Sequence, residues 1–390
     1  MTYDPLKEMQ EIRNQLSYSK RIGFLLGAGT SKSIGISDTN QLTTTISKAL
    51  SAELQEDITK VKTCLNNPKC NIEDILNHIR LVREITGENK DKSYEGVNGE
   101  SAKNLDIEIC NKIYDVIIAE EEKADLSVPK KFVSWLNWLS RDYSKELFTL
   151  NYDLVLEKSF ESMQIPFYDG FVGSNEPFFL PESLEKDLKQ SYLPLMWIKL
   201  WKMHGSLGWF WRKDSDNKSE RIVRLGVHAK KLDVNNEIVI YPSRDKYIDS
   251  KKQPLLSYFD RLRAYLLDGE GLFIISGYSF RDPHVNSIIF DCLKHNNRLH
   301  MLGYLYSDST IDYLQSEDHI YMNFSAYGPS KTIIKGSLST WEKSIKDESL
   351  KEFWDDESNK LLLGDFHKLV DFLLFCSGQK EKIEKDVITP

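Results

Sequence analysis

Four short stretches of this 390-residue sequence combine small, polar and titratable residues in patterns suited to holding a nucleotide and moving a proton. Gly27-Ala28-Gly29-Thr30-Ser31 follows the apolar run Arg21–Leu26. Small residues there let backbone amides approach a pyrophosphate, and a following helix start offers its positive end. The full G-x-G-x-x-G spacing is absent, because the next glycine is Gly35, so a merely tight turn explains the motif equally well. Asp38 suits a contact to a ribose or a ligand amide, or the cap of a helix beginning near Gln41. Thr149-Leu150-Asn151-Tyr152-Asp153 closes a second apolar run, at the carboxyl edge where ligands bind in open α/β sheets; Asn151 or Asp153 would also serve as a helix cap. Lys202-Met203-His204-Gly205-Ser206 places a histidine, the side chain that exchanges protons near neutral pH, at the end of a third run and facing a cleft. Ser276-Gly277-Tyr278-Ser279-Phe280-Arg281-Asp282-Pro283-His284 is a second glycine turn, in which Asp282-Pro283 also reads as helix initiation.

The elements that must position these residues alternate. Apolar runs at 21–26, Leu147–Leu150, Ile238–Tyr241, Leu272–Ser276 and His300–Tyr306 are separated by helical patterns at Leu154–Met163, Leu255–Leu267 and Val285–Lys294. This predicts an α/β protein with a doubly wound, mostly parallel, Rossmann-like sheet. Residues 51–142 carry only helical patterns (Ile72–Val82, Asp106–Glu122, Phe132–Leu139) and read as a helical insertion between the first two strands. Residues 205–236 are turn-rich, with Trp209, Phe210 and Trp211, and read as an irregular or small β module. From about Ser330 the pattern returns to helix. The expected organisation is a catalytic domain over 1–330, with its insertion at about 51–142, and a helical extension over 331–390.

Composition narrows the setting. Lys plus Arg at 51 against Asp plus Glu at 59 gives a net charge of −8, which disfavours nucleic acid and anionic lipid as general partners. No apolar run is long enough to span a bilayer and the N-terminal stretch is charged, so a cytoplasmic location is expected. The five cysteines (Cys64, Cys70, Cys110, Cys292, Cys376) form no C-x-x-C pair, so no metal is expected. Trp135, Trp138, Trp341, Trp354, Phe366, Phe372, Leu373, Leu374 and Phe375 lie outside the nucleotide sheet and read as contacts of a homo-oligomer built by the helical insertion and the C-terminal helices (about 330–378), with cover for the sheet within one chain as the alternative.

The four motifs in this order resemble the sirtuin family. GAGTS resembles its first nucleotide turn, TLNYD its T-x-N-x-D element, KMHGS its histidine, and GYS its later G-T-S turn. The resemblance runs from about Ile22 to Tyr306 without the insertion. It implies that Gly27, Ala28, Gly29, Thr30, Ser31, Asp38, Gly277 and Ser279 bind NAD, that Asn151 and Asp153 face the nicotinamide ribose, and that His204 is the base. The sequence departs from the deacylases of that family: no cysteine lies between Cys110 and Cys292 to supply their zinc quartet, Thr39-Asn40 follow Asp38 in place of Phe-Arg, and Tyr152 stands where isoleucine is usual. In Asn151-Tyr152-Asp153 and in the longer GYSFRDPHVN of residues 277–286 it is more similar to sirtuin-like effectors of bacterial antiphage systems, which hydrolyse NAD and in some systems work with a HerA-type hexameric ATPase.

The chemistry implied is modest in its demands. The C1′–nicotinamide bond has a cationic leaving group, so cleavage through an oxocarbenium-like state needs no general acid and no Lewis acid. Asn151 would hold a water or ribose hydroxyl and His204 would take the proton. Without a zinc module to shape a peptide groove, water is the expected nucleophile, giving nicotinamide and ADP-ribose. A protein deacylase or ADP-ribosyl transferase, and a non-catalytic NAD or ADP-ribose sensor, are the alternatives.

Overall fold

The computed structural model describes residues 2–68, 70–141, 143–184, 197–213, 220–226, 238–240, 253–319, 321–342 and 348–388. Alternating side chains build its centre. In Ile22–Leu26, the side chains of Ile22, Phe24 and Leu26 enter one hydrophobic cluster and Leu25 enters another, as a parallel sheet covered on both faces requires. Gly23 shares the Leu25 face, where a Cβ would lie 2.6 Å from Tyr265, so the tyrosine ring occupies that space.

Ten strands form the main sheet: β1 (Thr2–Tyr3), β2 (Ile22–Leu26), β3 (Glu146–Thr149), β4 (Phe167–Tyr168), β5 (Ile198–Lys202), β6 (Gly271–Ser276), β7 (Leu299–Tyr304), β8 (Phe324–Tyr327), β9 (Lys331–Ile334) and β10 (Ser337–Trp341). Their order is β1-β10-β9-β8-β7-β6-β2-β3-β5-β4. All pairs are parallel except β8–β9 and β9–β10. The expected doubly wound, mostly parallel sheet is therefore present. Helices Pro5–Tyr18, Ser127–Trp138, Val155–Ser162, Phe366–Ser377 and Lys380–Ile388 cover one face, and Leu255–Leu267, Pro283–His295 and Asp308–Ser316 the other.

The structure corrects four details. Helices Thr39–Ala49, Ala52–Leu65, Ile72–Thr86 and Gly99–Glu121 build the insertion around a third cluster, but Ser127–Trp138 leaves it and covers the main sheet, with Phe132 and Trp135 edge-on to Phe24. Of the run Ile238–Tyr241, Tyr241 lies outside the described residues and Ile238–Ile240 pairs antiparallel with Gly205–Lys213 in a separate five-stranded sheet, because so short an apolar run carries no information about its partner or direction. Among the described residues after Ser330, α-helix begins only at Phe366, following a 3₁₀ helix at Glu348–Phe353; before these, β9 and β10 form a hairpin through Lys335 and Gly336, both at positive φ (49° and 75°), the conformation a two-residue hairpin loop demands. Finally, Trp135, Trp354, Phe366, Phe372, Leu373 and Leu374 are buried within one chain on a face of the sheet, Phe375 packs against them, and Trp341 is itself the last residue of β10; Trp138 alone of the set read as oligomer contacts is exposed.

One buried ion pair holds the strand that leads to the Asn151 loop. Glu146, at the start of β3, accepts from Arg261 Nε at 2.9 Å and Nη2 and from Trp201 Nε1 at 2.8 Å, with Lys199 Nζ 4.0 Å away. Burial pushes its carboxyl up, but Arg261, Lys199 and Trp201 outweigh that and hold it below the ordinary glutamate value of 4.5. A carboxylate depressed on folding stabilises the fold above the unfolded value, and that contribution fades as pH falls through the folded one. Arg261→Ala leaves the carboxylate buried without its main partner, and such losses cost about 3–5 kcal/mol. Urea denaturation at pH 7 should show a loss of that size; an unchanged midpoint would mean that the pair contributes nothing net.

Candidate functional site

The sheet order explains why four motifs distant in sequence meet. The strands that precede them, β6, β2, β3 and β5, are consecutive neighbours and mutually parallel, so their carboxyl ends, and the turns that leave them, lie along one edge. The two glycine turns pack backbone against backbone. Gly27 N–H donates to the Ser276 carbonyl and Gly29 N–H to the Gly277 carbonyl, both at 2.9 Å. A Cβ on Gly27 would lie 2.6 Å from the Gly277 oxygen, and one on Gly277, at φ +67°, would lie 2.5 Å from Thr30 N. At both positions only glycine permits the approach.

That contact seats Thr30 and Ser31, both buried, beneath Asn151. Thr30 Oγ1 donates to the Gly27 carbonyl at 2.9 Å, and Ser31 Oγ donates to Asp153 Oδ2 at 2.6 Å. Each hydroxyl has one hydrogen, and each is engaged, so toward Asn151 both can only accept. They do so, from Asn151 Nδ2, at 3.1 and 2.7 Å. The amide is thereby locked with both N–H groups inward. Its Oδ1 is buried and has no hydrogen-bond partner among the described residues, which leaves an oriented acceptor for a ligand donor. The loop carrying Asn151 is fixed from below: Thr149 Oγ1 donates to the Leu26 carbonyl and accepts from Asn151 N, while buried Lys202 donates to the Tyr152 carbonyl at 3.3 Å, to the Asp153 carbonyl and to Glu157 at 2.9 Å.

His204 lies where β5 passes into the strand Gly205–Lys213, through Gly205 at φ +90°. It is buried, and its Nε2 is 3.0 Å from Asp282 Oδ2. Against a carboxylate Nε2 carries the hydrogen, leaving the Nδ1 lone pair as the basic site. Asp282 Oδ1 meanwhile caps the helix Pro283–His295, accepting from His284 N at 2.8 Å and Val285 N at 3.2 Å. One side chain thus starts a helix and orients the histidine. The sequence reading saw only its capping half.

The remaining residues divide. Ala28, Gly29 and Ser279 are exposed on the sheet edge, where their backbone and hydroxyl groups are accessible. Asp153 is buried and turned inward, to Ser31 and to Val155 N. Asp38 is the cap of Thr39–Ala49, accepting from Asn40 N and Gln41 N in a reciprocal capping box, and its second oxygen pairs with Lys32 at 2.6 Å. Burial pushes its carboxyl up, but Lys32 and the two backbone donors outweigh that and hold it below the usual range. The helical insertion also reaches the site: Glu73 accepts from Tyr152 OH, between Asn151 and Asp153 in sequence, and burial together with Glu73 keeps that phenol protonated. Among the described residues, no three metal-ligating side chains converge at this edge.

Comparison with known proteins adds the following. Among curated proteins, no sequence matches this chain. A solved structure described as "Structural Basis for the Mechanism and Regulation of Sir2 Enzymes" aligns over 78% of this chain and 90% of its own, at 10% sequence identity and a TM-score of 0.37. Residues 145–322, which carry Asn151, Asp153, His204, Gly277, Ser279 and Asp282 but not the first glycine turn, match the family model of the SIR2-like domain.

Proposed function

We propose that this chain is an NAD glycohydrolase that breaks the nicotinamide–ribose bond with water. The observation that carries the proposal is the locked Asn151 amide, with its unpartnered Oδ1, on the same sheet edge as the His204–Asp282 pair. Cleavage sends the C1′–N electron pair to nicotinamide, which leaves neutral, and the ribose passes through an oxocarbenium-like state. Asn151 Oδ1 accepts from a ribose hydroxyl or from the attacking water and so fixes the geometry of attack. Water adds to C1′ and its proton goes to His204 Nδ1, the imidazolium being stabilised by Asp282. Exposed Ala28, Gly29 and Ser279, with Gly27 and Gly277 behind them, form the bed for the pyrophosphate and the adenosine half. The match to the SIR2-like domain supports NAD as the substrate. The motif resemblance supports the setting, an antiphage effector that depletes NAD and works with a HerA-type ATPase; a cytoplasmic location rests on the charged N-terminal stretch and the lack of a long apolar run, and self-assembly on the need to hold such an effector off until it is triggered.

Incubating the protein with NAD tests the reaction. Nicotinamide and ADP-ribose in equal amounts are expected; an acylated ADP-ribose formed with an acylated peptide would instead make it a deacylase, an ADP-ribosylated protein would make it a transferase, and unchanged NAD would make it a sensor. Asn151→Ala and His204→Ala should each lower the rate by about 100-fold or more while leaving the circular dichroism spectrum unchanged. Full activity in both would remove the assignment of this edge as the reaction centre. Asp282→Asn keeps a good helix cap but no longer fixes the imidazole tautomer, so kcat should fall by about 100-fold or more with KM little changed. An equal loss in thermal stability and activity would show Asp282 to be a cap only.

A further inference from the structure

Away from the cleft, the insertion brings together three side chains of a kind that binds soft or borderline metals. Cys64 lies in the last turn of Ala52–Leu65, His78 in the middle of Ile72–Thr86, and Glu95 at the tip of the hairpin joining Ser93–Tyr94 to Val97–Asn98. His78 Nε2 is 2.9 Å from Glu95 Oε2, Cys64 Sγ is 3.7 Å from the Glu95 carbonyl oxygen, and the three donor atoms all lie within 4.8 Å of one another. Glu95 has φ +51°, in the left-handed region, and the hairpin turns there so that its side chain meets His78 while its carbonyl meets Cys64.

We propose that Cys64, His78 and Glu95 form a zinc site that ties the two helices and the hairpin of the insertion together. The donor set is one sulfur, one imidazole nitrogen and one carboxylate oxygen, which suits zinc and not magnesium or calcium. A tetrahedral zinc with bonds of roughly 2.0–2.3 Å holds its ligands roughly 3.3–3.8 Å apart, so shifts of about an ångström in the partly exposed side chains of Cys64 and Glu95 complete the set. Charge closes as well: thiolate and carboxylate together balance a dication, with the imidazole neutral. Three protein ligands leave the fourth position to water. Binding displaces the thiol proton, so affinity rises with pH. The site lies outside the cleft and takes no part in NAD cleavage. The sequence reading missed it because 31 residues separate Cys64 from Glu95 and the spacing follows none of the paired patterns of zinc modules.

The test is metal analysis of the full-length protein, stripped with a chelator, refilled with zinc chloride and freed of excess by gel filtration. One zinc per chain is expected, with a higher melting temperature than the stripped protein. Cys64→Ser and His78→Ala should each lose stoichiometric zinc, while Cys70→Ser, which changes a nearby cysteine outside the set, should keep it. Refilling with cobalt gives a second readout, a thiolate-to-metal absorption band present in the wild type and absent in Cys64→Ser. No retained zinc in the wild type, or zinc and the cobalt band retained unchanged in Cys64→Ser, would overturn the proposal.

Discussion

A carboxamide has a donor end and an acceptor end of nearly the same shape, and only its neighbours decide which faces a ligand. Here the decision is made by two hydroxyl hydrogens: Thr30 gives its own to the Gly27 carbonyl and Ser31 gives its own to Asp153, so Asn151 must turn both N–H groups toward them. Everything around the site serves this arrangement. Thr30 is seated by the backbone contact between Gly27–Gly29 and Gly277, which any Cβ would push apart. That contact exists because β2 and β6 are neighbours in register, with Leu26 opposite Ser276. The buried Asp153 has its carboxylate engaged by Ser31 and by the Val155 amide, and so helps to fix the Ser31 hydroxyl.

The insertion is part of this machinery and not an ornament on it. Its third hydrophobic cluster takes in Tyr152 and Leu207, which flank Asn151 and His204 in sequence, and Glu121 from its longest helix accepts from Leu154 N at 2.7 Å and pairs with Lys158. Burial and the nearby Asp153 push the Glu121 carboxyl up, against the pull of Lys158 and the Leu154 amide. Tyr152 supplies both apolar area for this packing and a hydroxyl for Glu73. A branched aliphatic side chain at this position would offer Glu73 no hydrogen.

Much of this was legible in the sequence, because strand ends announce themselves. The strands Ile22–Leu26, Glu146–Thr149 and Gly271–Ser276 show as short apolar runs that stop at glycine or polar residues, which puts the motifs at strand ends, while the strand order that makes those ends neighbours comes from the fold. What stayed hidden depends on partners far apart in sequence. Asp282 reads as a cap because the residues it caps are adjacent, whereas His204 is 78 residues away. That Thr30 and Ser31 orient Asn151 stayed hidden, because the direction of a hydroxyl hydrogen is invisible until its acceptor is in place. Lys335-Gly336 did carry a local hairpin signal, which the helical pattern further along the chain obscured. Aromatic residues at helical spacing, such as Trp135 and Phe372, look the same whether they cover a sheet or a second subunit.

The central claim, that the orientation of Asn151 is set by Thr30 and Ser31, is tested most directly by removing both hydroxyls and leaving Asn151 in place. In Thr30→Val with Ser31→Ala the amide is free to turn over, and the rate of nicotinamide release from NAD should fall in kcat toward that of a chain lacking the Asn151 side chain, with circular dichroism unchanged and with KM shifted by less than kcat. Wild-type kcat in that folded double variant would contradict the account.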